Sequence, residues 1–116
     1  MTKLPPHYGL GTHAIHHGEG TDALRAHLHP IYMTSTFSFP DADTGAAIMV
    51  GDQPGYAYTR AHNPTIDHLA NKYALLEGIG LLRAQPDADP ASLVKAVVFA
   101  SGMAAISSGV FGRMRA

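Results

Sequence analysis

The sequence predicts a protein of the α/β class, and three stretches lead to that prediction. An amphipathic helix follows Asn63, a short buried strand covers residues 96–100, and a turn at Ser101-Gly102 leads into a second helix. Strand, small-residue turn and helix in this order are typical of open α/β sheets, in which the helix N-terminus faces a ligand. Because a parallel strand needs neighbours on both sides, we expect the chain to be the opening part of a larger α/β protein.

Composition and charge limit the kinds of partner that the chain can have. Its 116 residues carry a formal net charge of −1, which offers no electrostatic attraction for nucleic acid or an anionic membrane. It has no cysteine, so a disulfide framework and a thiolate metal site are excluded. We find neither a secretory signal nor an apolar run near the roughly 20 residues that span a bilayer. We therefore expect a cytoplasmic protein, and a compact chain of this length would bury roughly two thirds of its surface.

Residues 1–53 are predicted to form an N-terminal arm and interface segment. Glycines and prolines interrupt residues 1–30, in which we expect only a helical turn around 12–17. An irregular segment of this kind cannot easily bury an apolar face of its own. We therefore expect the arm to lie on the rest of the domain or on another subunit.

The second half of the arm is predicted to hold one extended stretch and one short helix. Residues 29–40 are rich in aromatic and β-branched side chains and favour extended structure. In the helix that follows, Asp41 or Asp43 is the expected N-cap and Gly51 the expected C-cap. Packing in the core or between subunits is the favoured role of the nearby aromatic residues, with a substrate pocket as the alternative: Tyr32, Phe37, Phe39 and Tyr56.

The clearest predicted helix begins after Asn63, a good N-cap that is followed by Pro64 at the first helical position. Asp67 complements the helix dipole in the first turn, and Gly78 is the predicted left-handed C-cap. Beyond it, residues 83–92 predict a polar surface loop. Apolar residues at helical spacing predict a single buried stripe: Ile66, Leu69, Ala70, Tyr73 and Leu76.

The eight histidines raise the question of a metal site. His13 and His17 would share one face of a helix, with His16 beside them and His27 and His29 as further candidates. No H-E-x-x-H pattern accompanies them, and glycines flank the segment. We expect no metal site and predict that these histidines lie on a polar surface or interface.

A Tyr-x-Arg pair stands directly before the Asn-Pro helix start. Tyr58 and Arg60 are suited to hold an anion, which can belong to a neighbouring subunit, whereas the alternative is a solvated pair on a loop. The later turn at Ser101 offers a helix N-terminus, and the Met103 side chain is expected to lie in the core.

Three blocks in order carry a resemblance over nearly the whole chain, from Gly11 to Ser108. They are "HPIYMTSTFSF", "YAYTRAHNPT" with its helix ending "ALLEG", and "VVFASGMAAIS". Together they resemble the Cys/Met-metabolism family of pyridoxal-phosphate enzymes, the group of cystathionine γ-synthases, methionine γ-lyases and O-acetylhomoserine sulfhydrylases. The resemblance implies an aspartate-aminotransferase-like α/β fold (PLP fold type I) and a homotetramer built as a dimer of dimers, with active sites shared between subunits. Residues 54–116 would then be the incomplete start of the domain that binds pyridoxal 5'-phosphate.

The resemblance also implies roles for five residues. The Tyr-x-Arg of the family reaches the cofactor phosphate of the partner subunit, and the matching residues are Tyr58 and Arg60. The family's Ser-Gly-Met turn binds the phosphate of its own subunit through backbone N–H groups, and here it is Ser101, Gly102 and Met103. A guanidinium can give a phosphate two charge-assisted hydrogen bonds, and glycine lets the backbone approach closely.

The chain departs from the family pattern in two respects. None of Lys3, Lys72 and Lys95 lies in the motif of the lysine that forms the Schiff base, so no catalytic residue is assigned. The segment from Gly78 to Lys95 is also longer than in typical relatives.

The implied function is γ- or β-elimination or replacement on the small amino acids O-acylhomoserine, cystathionine or methionine by a full-length enzyme. We expect the 116 residues alone to be inactive. The alternative is a non-catalytic truncated or degenerate chain that binds anions or partner subunits.

Overall fold

A computed structural model of the chain describes residues 7–20, 22–88 and 90–114, and these residues form five helices. Backbone pairing between extended segments is confined, among these residues, to one antiparallel bridge between Thr36 and Tyr58. The described residues thus supply helices of the predicted α/β class without a sheet. In chain order the helices are α1 (Leu10–His16), α2 (Ala42–Val50), α3 (Pro64–Ala84), α4 (Pro90–Leu93) and α5 (Gly102–Arg113).

Helices α1 and α2 lie where the sequence predicts them. The first residues of the predicted arm, with Lys3, lie outside the described residues, and α1 contains the expected helical turn. Asp41 is the N-cap of α2, because its Oδ1 accepts a hydrogen bond from the Thr44 N–H at 2.7 Å. Hydrogen bonds from Thr44 lower the pKa of this carboxyl. Gly51 ends the helix in the left-handed conformation, with φ of 87°.

Helix α3 begins as predicted and ends later than predicted. The Asn63 side chain accepts from the Thr65 N–H at 2.9 Å, which confirms the N-cap. The helix then runs through Gly78 to Ala84, so the prediction that Gly78 is the C-cap is wrong. The residues after Gly78 include several good helix formers, which let the helix continue into the predicted polar loop. That loop is shorter than predicted, and α4 occupies part of it.

Gly78 serves close packing instead of helix termination. It is buried, and a Cβ placed on it would lie 2.4 Å from Cγ2 and 2.9 Å from Cβ of Val94. Because real Cβ atoms essentially never approach so closely, any other residue here would push the segment at Val94 away from α3. A glycine in the middle of α3 is therefore explained by a contact with residues far along the chain.

Two glycine substitutions in α3 provide a matched test of this contact. We expect Gly78→Ala to lower the free energy of unfolding by about 1–3 kcal/mol, since the added methyl group overpacks the contact with Val94. A Cβ at Gly80 would meet nothing within 4 Å, so Gly80→Ala should stabilise the helix by roughly 1 kcal/mol. Urea unfolding of both variants measures the difference, and equal effects of the two changes would contradict the packing explanation.

Residues 94–99 follow α4 without regular secondary structure, so the predicted buried strand at 96–100 is not formed by the described residues. The Val97 side chain is 73% exposed. A parallel strand becomes buried only between neighbouring strands, and the described residues place none beside this segment. The expectation that the Met103 side chain lies in a core is also wrong for this chain, since that side chain is largely exposed.

The apolar stripe predicted on α3 is only partly covered. Ile66, Leu69 and Tyr73 are exposed. Among the described residues, Leu82 is the one large apolar side chain that is buried, with 7% exposure. The accessible surface of 8741 Å² exceeds the roughly 6,100 Å² expected for a compact 12.3 kDa protein. The Cα radius of gyration of 16.1 Å likewise exceeds the roughly 13 Å of a compact domain of this length. The expected burial of two thirds of the surface is therefore not reached.

Helix packing is limited to α3, which contacts α1 along one part and α4 along another. Helix α5 packs against none of the other helices in the described part of the chain. None of the described helices is both long enough and apolar enough to traverse a bilayer.

Candidate functional site

The stretch that carries Tyr58 pairs with the predicted extended segment. The Phe37 N–H donates to the Ala57 carbonyl at 3.1 Å, and the Thr59 N–H donates to the Ser35 carbonyl at 2.9 Å. These two hydrogen bonds flank the antiparallel bridge at Tyr58. They hold the Tyr-x-Arg stretch against an earlier part of the chain.

Arg60 lies on a tight turn directly after this pairing. The Tyr58 carbonyl accepts hydrogen bonds from the N–H groups of Ala61 and His62 at 3.0 and 3.1 Å, which closes the turn around Arg60. The guanidinium carbon lies 5.1 Å from the centroid of the Tyr58 ring. This cation–π contact keeps the two side chains on the same side of the turn.

Both side chains are available to a ligand. Tyr58 is 41% exposed, and Arg60 is exposed and forms no ion pair with any carboxylate among the described residues. A guanidinium without a carboxylate partner, next to a phenol hydroxyl, suits a planar or tetrahedral oxyanion. The structure therefore brings together the two predicted residues of the Tyr-x-Arg pair.

The second predicted group lies at the start of α5. Ser101 is the N-cap, and its Oγ accepts from the Ala104 N–H at 3.2 Å. The N–H groups of Gly102 and Met103 have no acceptor among the described residues, and a Cβ on Gly102 would meet nothing within 4 Å. A 12-residue helix thus presents two free N–H groups and its positive dipole end to open space, which fits an anion.

The two groups are separate within the chain. No hydrogen bond or ring contact among the described residues joins Tyr58 or Arg60 to the Ser101–Met103 turn. The structure brings the predicted residues together as one pair and one triplet. That they share one phosphate stays a prediction.

Asn63 has a second role that its interpretation as an N-cap does not include. It is only 3% exposed, and its Nδ2 donates to the Tyr32 carbonyl at 3.1 Å and to Thr59 Oγ1 at 3.0 Å. The signal in the sequence is the choice of asparagine, since serine, threonine and aspartate cap helices without supplying amide donors. One side chain thereby joins α3 to both extended segments.

Two of the aromatic residues pack against each other, as the favoured prediction has it. The rings of Phe37 and Tyr56 lie 5.5 Å apart. Burial raises the pKa of the Tyr56 hydroxyl, and the charge of Asp67 and a hydrogen bond to it raise that pKa further. The neutral hydroxyl therefore persists at physiological pH and donates toward Asp67.

Histidines cluster where α1 meets α3. The prediction of a surface position is wrong for His13, which is 1% exposed and has no hydrogen-bond partner at either ring nitrogen. The rings of His29 and His68 are stacked, with centroids 4.1 Å apart. The described residues contain no group of three or more His, Asp or Glu side chains arranged to hold a metal ion. His13 of α1, His17 at its C-cap and His68 of α3 lie at the contact between the two helices.

The pKa values of two members of this cluster are lowered. Burial is the main cause for His17, and the positive charges of His13 and Lys72 add to it. Burial is again the main cause for His68, with further contributions from His29, Lys72 and His17. Burial and the nearby positive charges therefore both disfavour proton uptake by His17 and His68 in the folded state.

The lowered pKa values predict a pH-dependent stability. The contribution of neutral His17 and His68 to the free energy of unfolding is fully present above the ordinary histidine pKa of 6.5. It is lost as the pH falls from there toward their lowered pKa values in the folded state. The free energy of unfolding should therefore decrease as the pH falls below 6.5. Urea unfolding of wild type, of His68→Gln and of the exposed-site control His27→Gln measures the slope. A His27→Gln profile as flat as that of His68→Gln would refute the assignment.

Comparisons with known proteins agree with the residue patterns. A family model described as "Cys/Met metabolism PLP-dependent enzyme" matches residues 11–116. The L-methionine gamma-lyase of Pseudomonas putida is 40% identical over 114 residues, which cover 97% of this chain and 24% of that protein. The L-methionine gamma-lyase of Porphyromonas gingivalis is 43% identical over 60% of this chain and 18% of its own length. The homocysteine/cysteine synthase of Saccharomyces cerevisiae is 34% identical over 65% of this chain and 17% of its own length. The chain thus spans about a quarter or less of the curated relatives that it matches.

Proposed function

Because the chain belongs to the family of pyridoxal-phosphate-dependent enzymes of cysteine and methionine metabolism, we propose that it is the N-terminal part of such an enzyme. The reaction is elimination or replacement at the γ (or β) carbon of methionine, cystathionine or an O-acylhomoserine. The observation that carries this proposal is the exposed Tyr58–Arg60 pair within the matched residues, whose cation has no carboxylate partner in the described part of the chain. The enzyme acts on small molecules in the cytoplasm.

The residues present fit the phosphate of the cofactor. The Arg60 guanidinium and the Tyr58 hydroxyl would donate hydrogen bonds to its oxygens. The free N–H groups of Gly102 and Met103, at the positive end of α5, would donate to the same kind of group. When bound, pyridoxal 5'-phosphate supplies the electron sink for breaking bonds at the substrate carbons. In that chemistry, the role of this chain would be to hold the phosphate of the cofactor and thereby orient the pyridine ring.

The two phosphate-binding groups act on different subunits in this proposal. Within one chain they have no connecting contact among the described residues, and each faces outward. In a homotetramer built as a dimer of dimers, Arg60 and Tyr58 of one subunit reach the phosphate that the Ser101 turn of its partner holds. Exposed apolar side chains on α3 and α5 would be covered by the rest of the protein, where residues 96–100 become a strand of the type I fold.

No lysine of this chain is assigned to catalysis. The Lys72 Nζ donates to the Ile15 carbonyl at 3.3 Å and thereby holds α1 on α3. Lys95 precedes the exposed segment that contains Val97, and Lys3 lies outside the described residues. The chain therefore contributes binding and orientation, and its proton transfers belong to residues elsewhere in the full-length enzyme.

Turnover assays on the full-length protein test the proposed function. Protein saturated with pyridoxal 5'-phosphate is incubated with methionine, with cystathionine, and with O-acetylhomoserine plus sulfide, and release of thiol, keto acid or new amino acid is measured. We expect turnover of at least one substrate, and none by the 116 residues alone. Tight cofactor binding without any turnover would favour the non-catalytic alternative and overturn the proposal.

A further inference from the structure

We propose that Asn63 is a positioning residue, which sets the Tyr-x-Arg pair for the phosphate through its hydrogen bond to Thr59. The inference rests on the proposed function, since it assigns the phosphate as the group that Arg60 and Tyr58 meet. Asn63 does not touch the ligand in this proposal. It acts by fixing the backbone from which the two side chains project.

The Asn63 amide uses its hydrogen-bonding capacity on three different parts of the chain. Its Oδ1 accepts from the Thr65 N–H at 2.9 Å and caps α3. Its Nδ2 donates to the Tyr32 carbonyl at 3.1 Å and to Thr59 Oγ1 at 3.0 Å. At 3% exposure the Asn63 side chain is shielded from water, so the loss of a partner would leave its buried amide donor unpaired. The side chain is thus a junction between α3, the Tyr32 segment and the Tyr-x-Arg turn.

Thr59 transmits the position of Asn63 to the predicted ligand-binding residues. It is the residue between Tyr58 and Arg60, so any shift of its backbone moves both. Its Oγ1 accepts from Asn63 and donates to the Thr34 carbonyl, while its N–H donates to the Ser35 carbonyl at 2.9 Å. Thr59 is therefore held from two sides, and the Asn63 bond is the only one of these that comes from α3.

Asparagine is the side chain that can do both tasks at this position. Serine caps a helix about as well, but it carries no amide donor that could reach Thr59 while its oxygen caps α3. Asn63→Ser therefore removes the positioning bonds and retains a cap. Thr59→Val removes the same bond from the other side, together with the bond from Thr59 Oγ1 to the Thr34 carbonyl, and leaves Asn63 intact.

Thr65 supplies a matched control in the same region. Its Oγ1 accepts from the Tyr32 N–H at 2.9 Å and lies 3.3 Å from the Pro30 carbonyl, to which it donates. These bonds tie α3 to the Tyr32 segment without touching Thr59. Thr65→Val thus weakens the same junction but leaves the Tyr-x-Arg turn held.

The experiment compares pyridoxal 5'-phosphate with pyridoxal, which lacks the phosphate. Apo forms of the full-length protein are titrated with each compound by fluorescence. The dissociation constant of pyridoxal divided by that of pyridoxal 5'-phosphate is taken as the phosphate contribution. Melting temperatures of the apo forms report on folding. A merely structural role of Asn63 would weaken both ligands alike and leave the ratio unchanged.

We expect Asn63→Ser and Thr59→Val each to reduce this ratio about tenfold, since misplacing charge-assisted donors removes part of their contribution. Thr65→Val should leave the ratio within about twofold of wild type, as expected for a change remote from the ligand. In a protein that already carries Arg60→Ala, Asn63→Ser should reduce the ratio only slightly further. The inference is overturned if Arg60→Ala reduces the ratio and Asn63→Ser does not, whatever the effect of Thr59→Val, which also loses the bond to the Thr34 carbonyl. If Arg60→Ala itself leaves the ratio unchanged, the proposed function fails first, so the two failures are distinguishable.

Discussion

Replacing Arg60 by alanine in the full-length protein is expected to weaken binding of pyridoxal 5'-phosphate by roughly 10- to 100-fold. Hydrogen bonds to charged groups contribute about 1.5–3 kcal/mol, and each 1.4 kcal/mol corresponds to about tenfold in a dissociation constant. No carboxylate among the described residues forms an ion pair with the guanidinium, so its hydrogen-bonding capacity is available to the phosphate. Titration of the apoprotein with the cofactor, followed by absorbance, measures the change.

Two further variants separate geometry from charge. Arg60→Lys keeps the charge but loses the planar pair of donors, so an intermediate affinity is expected. Arg83→Ala removes the same charge near the other end of α3, where the Arg83 guanidinium donates to the Tyr8 carbonyl at 2.9 Å. If Arg83→Ala weakened cofactor binding as much as Arg60→Ala, the loss would be explained by the change in net charge and not by a specific contact of Arg60.

Gly102→Ala is expected to leave the fold intact and to impair cofactor binding by about tenfold or more. A Cβ at this position meets no protein atom within 4 Å, so the apoprotein should be as stable as wild type. The same methyl group would occupy the space through which a phosphate approaches the free N–H groups of Gly102 and Met103, and overpacking costs about 1–3 kcal/mol. Thermal unfolding of the apoprotein and cofactor titration measure the two effects separately.

Gly109 in the interior of α5 is the matched position. A Cβ there also meets nothing within 4 Å, and Gly109→Ala should stabilise the helix by roughly 1 kcal/mol without changing cofactor affinity. If Gly102→Ala left the cofactor affinity unchanged, the start of α5 would not be part of the phosphate site. That result would leave the assignment of Arg60 untouched, since that group rests on a different turn.

The starts of three helices were predictable because helix capping is local. Asp41, Asn63 and Ser101 each accept a hydrogen bond from an N–H two or three residues ahead, as their residue types indicate. The contact between Tyr58 and Arg60 was not predicted and comes from the structure. The family assignment is confirmed by the match over residues 11–116, since short motifs in order identify it without tertiary information.

The errors concern burial and contacts between distant residues. Gly78 resembled a helix end, because its contact with Val94 comes from a part of the chain sixteen positions later. His13 resembled a surface residue, because only the packing of α1 on α3 buries it. The stripe on α3 and the segment at Val97 resembled a core, because apolar periodicity identifies a face but not the partner that covers it.

By itself, then, the amino-acid sequence determined where most helices begin and to which family the chain belongs, whereas the anion-binding role of its site residues stays a prediction. Only the tertiary structure decided that Asn63 bonds to Thr59, that histidines lie between α1 and α3, and that the Tyr-x-Arg pair and the start of α5 have no contact in the described residues. The physical reason is the separation in sequence between the residues that interact. Caps and turns depend on neighbours within a few residues, whereas burial and junctions depend on which distant segments the folded chain brings together.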